Sequence, residues 1–213
     1  MVRAARSYHH GDLRAALVEA GLKLARTGGI GALGVRELTR SVGVTPNAAY
    51  RHFADREALV LAIAVEAQDR LAQTMLDRMK AIRADADPAD RALARLRAVG
   101  EGYVHFAMAE PGWFELAILT RDEPGDDSPQ PTIESRVAPP YQLLVDALDG
   151  LVEAGVLTPA QRPNAEVACW STVHGFADLA TRGPLRAQDP PILDALATYV
   201  VDTIIAGVAA PPR

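Results

Sequence analysis

The segment 35–53, VRELTRSVGVTPNAAYRHF, constrains the fold more than any other part of the chain. Val35, Leu38 and Val42 recur at helical spacing, which predicts a short helix with one apolar face. Gly43 follows where this helix must end, because glycine adopts a left-handed C-cap without steric cost. The segment therefore predicts a helix that stops sharply at a glycine-containing turn.

A second short helix follows that turn. Thr45 can cap its N-terminus, and Pro46 fits the first helical position, where an N–H group would have no partner. Ala49 and Phe53 are four residues apart and face inward together with Val44. Two short helices joined by a tight turn predict a helix-turn-helix.

The outward face of the second helix suits DNA. Thr45, Asn47, Tyr50 and His52 can bond phosphate oxygens, and Asn47 and Arg51 can also reach base edges. The free N–H groups and positive dipole at the helix N-terminus favour an anion there. The alternative is a three-helix packing module whose polar face is simply solvated.

The run 44–53, VTPNAAYRHF, followed by DREAL at 55–59, resembles the recognition helix and the start of the fourth helix in the tetracycline-repressor (TetR) family. The resemblance covers residues 8–65. It implies an all-α homodimer of about nine helices, with a three-helix helix-turn-helix DNA-binding domain at 1–57 and a helical effector-binding and dimerisation domain at 58–213. Gly34 departs from the family pattern, because a Ser or Thr there would cap the helix and touch phosphate. The DNA-binding candidates are Arg36, Thr45, Pro46, Asn47, Tyr50, Arg51, His52 and Arg56.

Charge is spread unevenly along the chain. Residues 1–57 hold nine Lys or Arg and five Asp or Glu, which gives a net charge of +4. Residues 58–213 hold 13 Lys or Arg and 22 Asp or Glu, which gives −9, so the whole chain carries −5. A basic head on an acidic body fits a protein that meets DNA at one end.

Several other classes of protein find no support in the sequence. The single Cys169 excludes an intrachain disulfide and suits a reducing cytoplasm, most simply as a buried small hydrophobe. No secretory signal and no run of 18 apolar residues is present, so we expect no membrane span. No metal-ligand spacing and no cofactor motif appears, so we expect neither a metal nor a cofactor.

Helical periodicity continues through the rest of the chain, and no period-two segment predicts a strand. The fourth helix should run from about residue 56 to 83 and link the two domains. Later helices are expected at about 88–109, 113–119, from about 134, from between 158 and 164 to about 181, and from 190.

The eighth helix carries two apolar stripes about 90° apart, so it must be covered on two sides. One cover is its own domain, and the other is a second copy, which with the ninth helix would form a four-helix bundle about a two-fold axis. A fully buried helix in a monomer is the alternative. The interface candidates are Cys169, Val173, Phe176, Leu196, Val200 and Ile204.

Large aromatic side chains on the fifth to eighth helices predict a small-molecule pocket. The run 170–176, WSTVHGF, resembles the Trp-x-x-x-His-Gly signature of one TetR C-terminal class, and YVHFA at 103–107 resembles its middle segment. Few inward charges favour an apolar or aromatic effector. Each candidate taken alone is more often a core residue than a ligand contact, and for His174 a buried, hydrogen-bonded histidine is favoured over a ligand-binding group. The pocket candidates are Tyr103, Phe106, Trp113, Phe114, Tyr141, Trp170 and His174.

These patterns together predict a cytoplasmic, homodimeric regulator of transcription that binds a palindromic operator, with one recognition helix in each half-site. An enzyme is the second hypothesis, but no nucleophile–base pair, paired carboxylates or phosphate loop supports it. The third is a ligand-binding or adaptor protein without DNA binding, which predicts a degraded recognition helix. These patterns favour a repressor, but they also fit an activator.

Overall fold

The computed structural model describes residues 10–118 and 140–210. Within these residues the chain forms nine α-helices and no strand, which confirms the all-α prediction. The predicted start of the seventh helix near residue 134 lies outside the described residues. The helices are α1 His10–Gly28, α2 Val35–Val42, α3 Pro46–Ala49, α4 Arg56–Met79, α5 Pro88–Ala109, α6 Pro111–Ala117, α7 Pro140–Glu153, α8 Ala165–Thr181 and α9 Pro190–Ala209.

The described residues divide into two compact units. The head unit holds residues 10–67 and 112–118, and the body unit holds 68–111 and 140–210. Helix α4 therefore contributes to both units, and α6 belongs to the head unit although it follows α5 in the chain. The boundary predicted at residue 57 divides the chain by function rather than by compactness, and it stays a prediction.

In the head unit, α1 packs against α2 and α3. Leu17, Leu22 and Leu38 are fully buried between these helices. Gly21 allows Ile63 of α4 to approach α1, because a Cβ at Gly21 would lie 2.2 Å from Ile63 Cδ1. This core holds the helix-turn-helix against α1.

Helix α5 is the centre of the body unit, where it packs against α7, α8 and α9. Two glycines make this possible. A Cβ at Gly102 would lie 2.8 Å from Met75 Cα, and one at Gly100 would lie 3.3 Å from two carbons of Val201. Small residues on α5 therefore let neighbouring helices approach its backbone closely.

Aspartate side chains cap two of the helix N-termini. Asp55 accepts a hydrogen bond from the backbone N–H of Ala58 at 2.7 Å, and Asp87 accepts one from Ala89 at 2.9 Å. The predicted end of α4 near residue 83 is wrong, since the helix ends at Met79. The next residues bond three positions back, as in Ile82 N to Met79 O at 3.1 Å, which tightens the chain into a turn.

One helix among the described residues, α9, is long and apolar enough to cross a membrane by length and composition alone. Only 17% of its most apolar window is buried within the chain. The expectation based on uninterrupted apolar runs missed this property, because Asp194, Thr198 and Asp202 interrupt the run without making the helix polar. Such composition is weak evidence for a membrane, since α9 also packs on α5 and α8.

We predict that the thiol of Cys169 reacts slowly with thiol reagents in the folded protein. The side chain is buried, and burial raises the pKa of the thiol to about 11. This shift alone leaves about a hundredfold less thiolate than an ordinary cysteine. A colorimetric thiol assay should show slow reaction in buffer and rapid reaction in denaturant. Ala187→Cys, an exposed position, is the matched control, and native reaction as fast as in denaturant would contradict the prediction.

Candidate nucleic-acid interface and aromatic cluster

The helix-turn-helix is built as its sequence predicts around one left-handed residue. Gly43 has φ 80° and ψ 30° and ends α2, and its N–H bonds back to Arg40 O. Ala49 and Phe53 are buried beneath α3, at 1% and 5% exposure. The turn and the buried pair together aim the opposite face of α3 into solvent.

Helix α3 is shorter than a recognition helix of several turns. Only Pro46–Ala49 is α-helical, and Tyr50, Arg51 and His52 follow as a hydrogen-bonded turn, with Phe53 N bonded to Ala49 O at 3.1 Å. The dipole contribution expected at its N-terminus is correspondingly small, because so few peptide units are aligned. Thr45 occupies the N-cap position but makes no side-chain cap hydrogen bond.

The predicted DNA-binding side chains lie at the surface of the head unit. His52 is half-buried, and Tyr50 is 49% exposed. Contact with DNA itself remains a prediction for all eight. The exposed members are Arg36, Thr45, Pro46, Asn47, Tyr50, Arg51 and Arg56.

Arginine side chains in the head unit also have structural contacts that the sequence did not indicate. Arg56 donates from Nε to the carbonyl of Leu33 at 3.0 Å, which ties the start of α4 to the residue before Gly34. The guanidinium carbon of Arg14 lies 5.2 Å from the centre of the Phe53 ring, in cation–π geometry. Arg14 and Arg56 therefore both help to stabilise the head unit.

In the body unit, four predicted pocket residues form an aromatic–histidine cluster: Tyr103, Tyr141, Trp170 and His174. The Tyr103 hydroxyl lies 2.9 Å from His174 Nδ1, and Trp170 Nε1 donates to the same hydroxyl at 3.3 Å. The rings of Tyr141 and Trp170 meet edge to face at 5.7 Å. Tyr103 is buried, whereas Tyr141 and Trp170 are nearly half exposed, so the cluster has a polar floor and an aromatic rim.

One of the two hydrogen bonds to the Tyr103 hydroxyl has a fixed direction. An indole N–H can only donate, so this hydroxyl accepts from Trp170. In the bond to His174, the donor depends on the tautomer of the imidazole. Burial raises the pKa of the Tyr103 phenol to about 12, so the phenol stays protonated at neutral pH.

The remaining pocket candidates are placed differently. Phe106 is buried on α5, one turn from Tyr103. Trp113 and Phe114 belong to the head unit, where the Trp113 indole donates to Leu22 O at 2.7 Å. The sequence could not separate these residues from the cluster, because α6 directly follows α5. A pocket that includes them remains a prediction.

The predicted interface residues on α8 are buried within their own chain. Cys169, Val173 and Phe176 are 5–7% exposed and face the core of the body unit. The other apolar stripe of α8 also contacts this unit, since Trp170 and His174 bond to Tyr103 of α5. A role of the predicted residues in dimerisation stays a prediction. On α9, the candidates Leu196, Val200 and Ile204 are half-buried.

The side chains that α8 and α9 expose are different ones, which were not predicted from the sequence. All of them are apolar, and the two helices that carry them pack side by side. On α8, apolar residues outside the two main stripes were the sequence feature that indicated this exposed face. The exposed large residues are Val167 and Leu179 on α8, and Ile192 and Tyr199 on α9.

No group of three or more His, Cys, Asp or Glu side chains that could hold a metal ion occurs in residues 10–118 and 140–210.

Family models match both parts of the chain. The model of bacterial regulatory proteins of the tetR family matches residues 17–63, and that of the tetracyclin repressor-like C-terminal domain matches 96–204. The uncharacterised HTH-type transcriptional regulator YobS of Bacillus subtilis (strain 168) is 22% identical over 192 residues, 90% of each chain.

Solved structures share the fold. A protein of unknown function from Rhodococcus sp. RHA1 is 27% identical with a TM-score of 0.73, over 97% of this chain and 100% of that one. A TetR variant from Acinetobacter baumannii AYE in complex with minocycline is 17% identical with a TM-score of 0.57, over 94% and 96%. The Trp-x-x-x-His-Gly signature remains an interpretation beside these matches.

We predict that Tyr103 makes the folded protein sensitive to alkali. Its pKa is about 12 when folded and near 10 when unfolded, so the native state binds more protons between these values. Its contribution is complete below pH 10 and is lost as pH rises towards 12, by about 3 kcal/mol at most. Denaturant unfolding at pH 9 to 12 should show a shallower decline for Tyr103→Phe. Tyr141→Phe, at the exposed rim of the cluster, is the control and should keep the parental slope; equal slopes for all three proteins would refute the prediction.

Proposed function

The chain belongs to the TetR family of bacterial transcriptional regulators, and on this premise we propose that it is a ligand-responsive repressor that binds a palindromic operator as a homodimer. The observation that carries the proposal is the outward aim of Asn47, Tyr50 and Arg51, with Ala49 and Phe53 buried behind them. Buried residues on one side and polar residues on the other orient this segment for a groove. We place its action in the cytoplasm, where operator DNA is found.

DNA contacts in this proposal divide by chemistry. Arg51 and Asn47 are exposed and have the donor geometry to reach base edges in the major groove. Tyr50 and Thr45 bond phosphate oxygens and set the register. The +4 charge of residues 1–57 supports binding at this end of the chain.

Homodimerisation is proposed through the exposed face of α8 and α9. At 100° per residue, Val167, Ser171, Gly175 and Leu179 lie within one third of the circumference of α8. All four are exposed, and a Cβ added at Gly175 would meet no atom within 4 Å from the described residues outside its own helix. A second copy would cover this face and that of α9, and its two-fold symmetry would match a palindromic operator.

The effector is proposed to bind at the aromatic–histidine cluster. Exposed rings of Tyr141 and Trp170 above the Tyr103–His174 hydrogen bond offer stacking surface with a few polar groups, the usual composition of a small-molecule site. This favours an apolar or aromatic effector, and the minocycline complex of the Acinetobacter relative is a precedent for a ring-containing ligand. Such an effector releases DNA only if it binds the DNA-free conformation more tightly.

We predict that the protein selects a palindromic site from a library of random double-stranded DNA, and that Tyr50→Ala weakens binding to it. Loss of a phosphate hydrogen bond in each half-site should cost roughly tenfold or more in affinity. Arg51→Gln should cost about 1–3 kcal/mol of binding free energy and relax specificity at the base pair that Arg51 contacts. Lys23→Gln, an exposed α1 position paired with Glu19, is the matched control. Selection of no site, or equal affinity for Tyr50→Ala and the parent, would refute the proposal.

We predict that Gly175→Arg yields a folded monomer. Apart from its own helix, no heavy atom of the described residues lies within 4 Å of a Cβ at Gly175, so the new side chain has room in one copy and would clash with a second copy packed there. Gly150→Arg on α7 is the matched control, since its Cβ also meets open space, and it should remain dimeric. Light scattering gives the mass of each. A dimeric Gly175→Arg would place the interface elsewhere.

A further inference from the structure

One hydrogen bond joins the two ends of the helix-turn-helix within the head unit. Leu33 is separated from α2 only by Gly34, the N-cap residue, and Arg56 is the first residue of α4. Arg56 Nε donates to Leu33 O at 3.0 Å, across 23 residues of chain. The bond therefore closes residues 34–55, which contain α2, its turn and α3, into a loop. We call this hydrogen bond the Arg56 clasp.

The acceptor of the clasp is held in place by its own chain segment. The Leu33 side chain is fully buried, and its backbone N–H bonds to Ile30 O at 3.0 Å. The N–H of Gly34 bonds to Ala32 O, also at 3.0 Å. The Leu33 carbonyl is therefore presented from a segment that is fixed on both sides of it.

The donor is fixed in the same way. Asp55 caps α4 by accepting a hydrogen bond from Ala58 N at 2.7 Å. Leu59 and Ile63, in the next turns of α4, are 1% and 0% exposed in the core of the head unit. Because both ends of the clasp are anchored, the hydrogen bond determines where α2 begins relative to α4.

The clasp acts at a position where a side-chain cap is missing. Gly34 makes no side-chain hydrogen bond at the N-terminus of α2, where a serine or threonine would bond a backbone N–H. The exposed DNA-binding candidate Arg36 is the second residue of this helix. Helix α2 then leads through the Gly43 turn into α3. A shift in the start of α2 would therefore displace Arg36 and the outward face of α3 together.

We propose that Arg56 is a positioning residue for operator binding, and that its hydrogen bond to Leu33 O, rather than contact of its charge with a phosphate, is what binding requires. This proposal rests on the proposed function. Without the clasp, the start of α2 moves, and the outward side chains of α2 and α3 no longer meet one duplex in a single register. Affinity for the operator falls, whereas the sequence-independent attraction between opposite charges is kept.

Two substitutions of Arg56 separate the donor from the charge. Glutamine Nε2 and arginine Nε are the same number of bonds from Cα, so Arg56→Gln keeps a donor for Leu33 O and removes the charge. Lysine keeps the charge but has a methylene group at that position, so Arg56→Lys removes the donor. Arg56→Met removes both. Lys23→Gln, at an exposed position of α1, loses one charge with the clasp intact and is the matched control.

The first measurement is fluorescence anisotropy with the duplex that the parent selects and with a scrambled duplex, at about 0.15 M salt, where distant charges are screened. Arg56→Gln should bind the selected duplex as tightly as Lys23→Gln does. Arg56→Lys and Arg56→Met should bind it about tenfold more weakly, as expected for the loss of one charge-assisted hydrogen bond. Arg56→Lys should bind the scrambled duplex as well as the parent does. Urea unfolding of each variant checks that all of them are folded during the titration.

The second measurement follows the clasp itself and needs no DNA. Backbone amide exchange of the free full-length protein, read by mass spectrometry, should be several-fold faster at residues 32–38 in Arg56→Lys and Arg56→Met. Exchange there should stay at the parental rate in Arg56→Gln and Lys23→Gln. The amides of Leu33, Gly34, Glu37 and Leu38 are informative, because each donates a backbone hydrogen bond in this region.

These measurements distinguish failure of the clasp from failure of the proposed function. If Arg56→Lys binds the selected duplex as tightly as Arg56→Gln or more tightly, the charge of Arg56 is what matters and the proposal is overturned. Equal exchange at residues 32–38 in all variants also overturns it. In both cases the repressor proposal stands, provided that the parent selects a duplex. A parent that selects none refutes the proposed function, and the role of Arg56 in operator binding falls with it.

Discussion

The left-handed backbone at Gly43 is the constraint on which the DNA-binding surface depends. With φ at 80°, this residue ends α2 and turns the chain so that α3 begins three residues later. A side chain with a β-carbon is strained in that conformation. After the turn, Ala49 and Phe53 are both buried against the core of the head unit. The outward aim of Asn47, Tyr50 and Arg51 is thus a consequence of one glycine and two buried side chains.

The second unit is organised by a similar use of small residues. Gly100 and Gly102 remove side chains from α5 where α9 and α4 cross it, so α5 packs at the centre of the body unit. The central position of α5 brings Tyr103 beneath Trp170 and His174 of α8. Close packing of helices on glycine therefore builds both the core and the polar floor of the aromatic–histidine cluster. Gly112 has the same effect in the head unit, where it lets α6 pack closely against the backbone of α1.

Local chemistry could be predicted from the sequence, and tertiary choices between equivalent faces could not. Helical periodicity and the Gly43 turn depend on neighbours within a few residues, and both are present in the structure. Both apolar stripes of α8 had the composition of a core, and both make contacts within the body unit: Phe176 of one is buried, and Trp170 and His174 of the other bond to Tyr103 on α5. The face that α8 exposes lies outside both stripes, with Val167 and Leu179 as its large apolar residues.

Two further residues show the same limit. Trp113 follows a pocket-bearing helix in sequence but lies with the head unit, because its indole finds an acceptor on α1. Arg56 is exposed and cationic, as a phosphate ligand would be, yet its Nε is bonded to Leu33 O. Side-chain partners that are 23 or 91 residues distant leave no local pattern in the sequence.

The proposed switch sets a quantitative demand on the aromatic–histidine cluster. Reversing a two-state population from about 1:99 to 99:1 requires roughly 5.5 kcal/mol of differential binding. A dimer has two effector sites, so each must supply about half of this amount. One net hydrogen bond contributes about 1 kcal/mol and one aromatic contact a similar amount. An effector must therefore change its contacts with two or three members of the cluster at once. Tyr103, Trp170 and His174 share one hydrogen-bond chain, so a ligand that disturbs one of them disturbs all three.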